Sequence, residues 1–221
     1  MTQRLFKRAG IVACLVVCGA CAEVALISVT PVVAALARNV DQRSAREIVE
    51  LEQKQDWPGM LRLAQARLQV EPARAAWWFL QGYALGRHGQ HAAAIESYQR
   101  AIRISPEDEG SWLALGRSQS ELGRSEQAIQ TYRQALRHRP ESAQAYLALA
   151  DVYRRQGRPD LAIQNYRESV RYDPHVAESW YGLAAAYQQT GQGERRDEAL
   201  QGLRKLDPAA AGQFEKQYLS K

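Results

Sequence analysis

The sequence predicts an all-α protein, a linear solenoid of helical hairpins, and three observations carry that prediction. Prolines stand at 72, 106, 140, 174 and 208, always 34 residues apart, and glycines at 89, 123, 157 and 191 repeat the same interval. Apolar residues between these marks recur with helical spacing: Ala128, Ile129, Tyr132, Ala135 and Leu136 form one stripe. The composition agrees, since Ala, Leu, Gln and Arg are abundant helix formers and 46% of the residues are apolar, enough for a continuous core.

The first element is a leader. Residues 1–8 are polar and basic, AGIVACLVVCGACA then runs apolar for 14 residues, and after Glu23 a second apolar run reaches Ala37. Residues 1–37 are therefore expected to be a signal or anchor segment outside the fold. Three fates fit them. Ala20-Cys21-Ala22 and Ala35-Leu36-Ala37 each suit a small-x-small cleavage site. Cys18-Gly19-Ala20-Cys21 resembles the bacterial lipobox, with Cys21 as the acylated residue and Cys18 where that pattern prefers Leu. The favoured expectation is an uncleaved membrane helix: residues 9–37 exceed the ~20 needed to cross a bilayer, and Glu23 would cost roughly 2.5–3.5 kcal/mol there. The flank with Arg4, Lys7 and Arg8 is expected to stay cytoplasmic, sending the remainder outward. All three cysteines (Cys14, Cys18, Cys21) lie in this leader with no histidine or second cysteine pair beside them, so no metal site is expected, and residues 22–221, which hold no cysteine, need no disulfide.

Residues 38–74 keep the repeat's length and its Glu71-Pro72 ending, and Trp57-Pro58-Gly59 opens a helix striped by Leu61, Ala64 and Leu68. This segment is expected to be a degenerate repeat capping the stack. Four full repeats follow, at 75–108, 109–142, 143–176 and 177–210, each read as helix, turn, helix. In the second, Gly123 suits the left-handed residue that ends the first helix, and Ser125 is expected to cap the next. Pro140 stops the second helix because it has no N–H and disfavours helical geometry at Arg139. Residues 211–221 place Phe214 and Tyr218 one turn apart, as a closing helix would. A lone helix pair cannot bury its apolar face, so the stack needs covers at both ends.

The repeat resembles the tetratricopeptide repeat (TPR) family, whose 34-residue pattern runs W-x2-L-G-x2-Y, A-x3-F, P. The second repeat matches at Trp112, Leu115, Gly116, Ala128 and Pro140, with Tyr132 in the Phe place. The first matches at Trp78, Gly82, Ala94 and Pro106; the third has Tyr146, Leu149, Tyr153, Ala162 and Tyr166, with Ala150 for Gly. The fourth begins with Trp180, Leu183 and Tyr187 but departs in its second helix, with Arg196 for Ala and Leu200 for the aromatic. The resemblance implies a right-handed superhelix whose concave face is lined by the first helix of each repeat and holds a peptide or partner helix. Carried over by register, that groove would present Phe79, Tyr83, Arg87, Leu113, Arg117, Glu121, Gln144, Leu147, Asp151, Arg154, Tyr181 and Gln189. The family's carboxylate clamp is not expected, because its places hold Phe79, Tyr83, Ala114, Gln144 and Ala148.

Charge and motifs narrow the function. The leader holds +2 of the net +5, so the remainder carries only +3, and no concentrated basic face points to nucleic acid. Neither a P-loop, a GxGxxG, an HExxH nor a nucleophile elbow occurs, so no enzyme, cofactor or small-molecule substrate is expected. The expected function is a non-catalytic protein–protein interaction scaffold at the bacterial cell envelope, anchored by its leader with the repeats in the periplasm, or secreted there if the leader is cleaved. The alternative is a self-associating structural component, or a pilotin-like lipoprotein, whose groove holds no ligand.

Overall fold

The computed structural model describes residues 30–219. The expectations for the cleavage site at Ala20-Cys21-Ala22, for acylation at Cys21 and for the membrane segment up to residue 29 lie outside these residues. Among the described residues there are helices α1 (Pro31–Ala37), α2 (Gln42–Gln53), α3 (Trp57–Val70), α4 (Ala75–Arg87), α5 (His91–Ile104) and α6 (Glu109–Glu121). They continue as α7 (Ser125–His138), α8 (Ala143–Arg155), α9 (Pro159–Tyr172), α10 (Ala177–Gln189), α11 (Gly193–Leu206) and α12 (Pro208–Tyr218). No strand occurs among them, and none of these helices is long and apolar enough to cross a membrane.

Each hairpin from α4 onward turns at a glycine held in the left-handed region, with φ between +69° and +79° at Gly89, Gly123, Gly157 and Gly191. A Cβ there would strain the backbone, which is why the interval is so regular. The first hairpin breaks the rule: Gln55 occupies the equivalent place at φ +52°. It bears the cost that a side chain meets in that conformation. Helix starts follow two patterns. Asp41, Asp56, Asp108, Ser142 and Asp207 each accept a backbone N–H from the first turn of the helix they precede. The second helices α5, α7 and α9 have no such cap, and Ser125 is the first residue of α7 rather than its cap. The turn after Gly123 is too short to place Ser125 in the extended conformation a cap needs; Arg124 holds that position.

Within a repeat, a ring packs on a bare backbone. Gly82 meets Tyr98 and Gly116 meets Tyr132; a Cβ on Gly116 would collide with Tyr132 Cε1. Tyr132 is only 3% exposed, so its ring has nowhere to retreat. Gly116→Ala should therefore cost roughly 1–3 kcal/mol of unfolding free energy by overpacking, measured by denaturant titration; an unchanged midpoint would contradict this packing. Three of the repeats are tied to the element before them by an indole donor. Trp78, Trp112 and Trp180 give their Nε1–H to the carbonyl oxygens of Pro72, Pro106 and Pro174 at 2.7–2.9 Å. The proline that stops one helix thus orients the next repeat.

The apolar residues form two buried clusters along the stack, one from α1 to α6 and one from α7 to α12. In the fourth repeat Leu200 is 3% exposed in the tyrosine's place, while Arg196, its side chain only 18% exposed, donates to Gln188 Oε1 at 2.7 Å and pairs with Asp197 Oδ1 at 2.7 Å. The departure from the repeat pattern is absorbed because the largely covered guanidinium is paired. One boundary needs correction. Pro31–Ala37, read from sequence as the end of the leader, belongs to the folded domain: Val33 is 0% and Leu36 5% exposed within the first cluster. An apolar run has the same composition whether lipid or protein covers it, and here α2 and α4 cover its last turns.

Candidate binding groove

The first helices of successive repeats touch one another, α4 with α6, α6 with α8 and α8 with α10, and α10 touches α12. They form the inner side of the curve. The 34-residue register puts Phe79, Leu113, Leu147 and Tyr181 at one level of that side, and Tyr83, Arg117, Asp151 and Ala185 one turn further on. Side-chain size at these places divides the inner side into three regions.

At the C-terminal end lies a cavity of about 320 Å³, walled by Leu147, Tyr181, Leu203 and Tyr218 over a polar floor. The floor is one hydrogen-bonded set. Tyr166 donates its phenolic O–H to Asp151 Oδ1 at 2.5 Å and accepts from Arg154 Nε at 3.2 Å, and Arg154 Nη2 lies 3.7 Å from Asp151 Oδ1. Burial pushes the Tyr166 hydroxyl well above its ordinary range, and the neighbouring Asp151 carboxylate adds to the shift. It therefore remains a donor at any physiological pH, fixing the carboxylate in place. The Asp151 and Arg154 side chains are each about two-fifths exposed (39% and 43%), so both still offer hydrogen-bonding capacity to an incoming chain. Tyr181 is held edge-on by Phe214, with ring centroids 5.4 Å apart, which makes it a rigid aromatic wall. Glu178 and Asp207 stand at the rim.

The middle of the inner side holds a larger, more apolar hollow of about 730 Å³, bounded by Ala35 and Leu36 of α1, Phe79 of α4, Leu113 of α6 and Gln144 of α8, with Glu107 at its edge. The N-terminal end is closed. Tyr83 is 5% exposed and donates to Glu52 Oε1 at 2.9 Å; Phe79, stacked beside it, is 7% exposed.

The sequence-derived groove residues thus divide by region. Leu147, Asp151, Arg154 and Tyr181 line the C-terminal cavity; Phe79, Leu113 and Gln144 line the middle one. Tyr83, expected on the surface, is instead beneath α1. Arg87 lies over the Trp57 ring at 4.7 Å, and Glu121 faces Arg155 at 3.9 Å. Arg117, Glu121 and Gln189 are exposed without lining either cavity. Sequence reasoning missed Tyr166 and Tyr218, which come from a second helix and from the closing helix. For Tyr166 a signal existed. Its own repeat has Ala150 in the glycine's place, and its ring lies against Gly182 of the next repeat, where a Cβ would collide with it. Its hydroxyl meets Asp151 and Arg154 on the inner side.

Comparison with known proteins adds the following. Residues 108–213 match the family model of the cilia and flagella-associated protein 70 C-terminal domain, and residues 82–123 match a TPR repeat model. A comparison with curated proteins returned no match. Among solved structures, a thermophilic TPR protein of Thermus thermophilus, TTC0263, superposes with a TM-score of 0.67 at 18% identity, covering 82% of this chain and all of that one. MamA (41-end) from Desulfovibrio magneticus RS-1 gives 0.62 at 17% identity, covering 82% and 98% of the two chains. YrrB, described as a TPR protein with an unusual peptide-binding site, gives 0.58 at 17% identity, covering 75% and 87%. At such identities these likenesses concern the fold.

Proposed function

Because the chain is a tetratricopeptide repeat protein, we propose that it is a non-catalytic scaffold that holds a short helix or extended peptide of another protein in the C-terminal half of its inner groove. The observation that carries this reading is the cavity between α8, α10 and α12. An aromatic wall of Tyr181 and Tyr218 stands there over the Asp151–Tyr166–Arg154 set, which offers a carboxylate and a guanidinium already fixed in position. Preorganised polar groups beside rigid rings lower the ordering cost of binding a peptide, and aromatics and arginine are frequent hot-spot residues. YrrB, of similar fold, has a peptide-binding site, which supports looking for one here.

The place of action we propose is the bacterial cell envelope, with the repeats outside the cytoplasmic membrane. The support is the basic flank of Arg4, Lys7 and Arg8 ahead of an apolar run. With Pro31–Ala37 folded into the domain, residues 9–29 remain as the apolar stretch, close to the ~20 residues a membrane crossing needs. Intact mass of the chain recovered from membrane and soluble fractions decides this part.

The groove reading is tested with a photo-crosslinking residue at position 181 and, for comparison, at the exposed Gln130 of α7. A partner should crosslink from 181 and not from 130. Combining Tyr181→Ala with Asp151→Asn should weaken its binding by roughly tenfold or more, with oligomeric state and helix content unchanged. Equal crosslinking from both positions, or undiminished binding by the double variant, would remove the groove from consideration.

A further inference from the structure

α1 lies on the inner side of the stack, where the repeats would otherwise present an open surface. It packs along α2, and its ends are tied to the first helices of two repeats. Thr30 Oγ1 donates to Glu52 Oε1 at 3.2 Å and lies 3.4 Å from the Tyr83 hydroxyl, while Arg74 Nη2 donates to the Asn39 carbonyl at 2.7 Å. Between these ties Val33 and Leu36 enter the cluster that contains Phe79, Leu80 and Tyr83. A helix of seven residues is not stable by itself in water, so its shape depends on this docking.

Two features make the docked state easy to leave. Only one face of the segment is anchored: Val32 is 41% exposed, and the hollow of about 730 Å³ runs along the side formed by Ala35 and Leu36. Glu52 also keeps an unmet demand. It is 8% exposed, its Oε1 accepts from both Thr30 and Tyr83, and its Oε2 is buried without a hydrogen-bond partner. A buried carboxylate oxygen left unpaired is costly, and a ligand that donates to it would gain a bond that α1 does not make.

We infer that Thr30–Ala37 is an internal, displaceable occupant of a second binding site, formed by Glu52, Phe79 and Tyr83, which takes short apolar helices whose first turn carries a hydrogen-bond donor. The site is distinct from the C-terminal cavity and does not depend on it. When α1 is seated, incoming chains meet only the middle and C-terminal regions. When it is displaced, the groove lengthens by one repeat. A competitor's apparent affinity is reduced by the fraction of molecules in which α1 is seated, so destabilising the seat should strengthen binding in trans.

The probe is a fluorescent peptide with the sequence of residues 30–40, added to the full chain and to full chains carrying Val33→Asp with Leu36→Asp, or the milder Leu36→Ala. The peptide should bind the double variant at least about tenfold more tightly than the unaltered chain, with Leu36→Ala between them, and replacing the peptide's threonine by valine should weaken it. Equal affinity for unaltered and variant chains, or no binding to a variant of unchanged helix content, overturns the inference. Hydrogen exchange on the unaltered protein provides a reading that needs no variant. Amides of α1 should exchange through local opening, well ahead of those in α4; exchange of α1 only together with α4 would show that the segment is fixed core and not an occupant.

Discussion

Phe214→Ala should open the C-terminal end of the stack and cost about 3–5 kcal/mol, the usual range for emptying a fully buried aromatic site. Phe214 is 0% exposed, lies between Tyr181 and Tyr218 at centroid distances of 5.4 and 4.6 Å, and belongs to the cluster holding Leu200 and Leu203. α12 has only 11 residues, and besides this ring it is held by Ala211, 1% exposed, by the Asp207 cap on the Ala210 N–H and by the Arg204–Glu215 ion pair at the surface. In a linear stack each repeat contacts only its neighbours, so the loss should fall on the end. Hydrogen exchange is expected to show α11 and α12 deprotected with α4 to α7 unaffected, and the thermal midpoint to fall by roughly 10 °C. Binding at the proposed C-terminal site should fall at the same time, since Tyr181 and Tyr218 would no longer be held. Full protection of α12 in the variant would mean that the helix is secured by contacts other than this ring.

What the sequence conveyed well was backbone punctuation. Gly123 and Pro140 report conformations that few other residues tolerate, so their spacing reads directly as helix ends, and Phe214 with Tyr218 marked a closing helix by spacing alone. Roles that depend on neighbours were less legible. Gln55 holds a left-handed turn that nothing in its identity announces. Tyr166 carries the same letter as Tyr98 and Tyr132 in the same register, yet its ring lies against Gly182 of the next repeat and its hydroxyl is bonded to Asp151 and Arg154. The leader was divided wrongly because hydrophobicity identifies a surface to be covered but not what covers it. Only the fold shows that Val33 and Leu36 meet Phe79 and Tyr83, and so that two expected groove residues are already engaged.

Alkaline unfolding should be steep, because the second helices of three consecutive repeats each bury a tyrosine at the same register. Tyr98 and Tyr132 are 3% exposed and Tyr166 is 0% exposed. Burial pushes all three hydroxyls far above their ordinary value near 10, and Asp151 adds to the shift at Tyr166. The sign follows from proton counting. A group whose folded-state pKa is raised keeps its proton in the native state after the unfolded chain has released it. Its contribution to stability is complete below the unfolded value and declines as pH rises through the interval between the two values. Each such tyrosine takes away roughly 1.4 kcal/mol per pH unit above 10, and the three together about 4. A domain of ordinary stability, about 5–15 kcal/mol, would then unfold within a few pH units of that threshold. Circular dichroism and phenolate absorbance, followed together from neutral to strongly alkaline pH, should show part of the tyrosine signal appearing only as the helices melt. Tyr132→Phe removes one of the three groups and should lower the slope by about a third. If all the tyrosines instead ionised near pH 10 with the helices intact, water would have to reach the three rings, and the packing of Tyr98 on Gly82 and Tyr132 on Gly116 could not be as described.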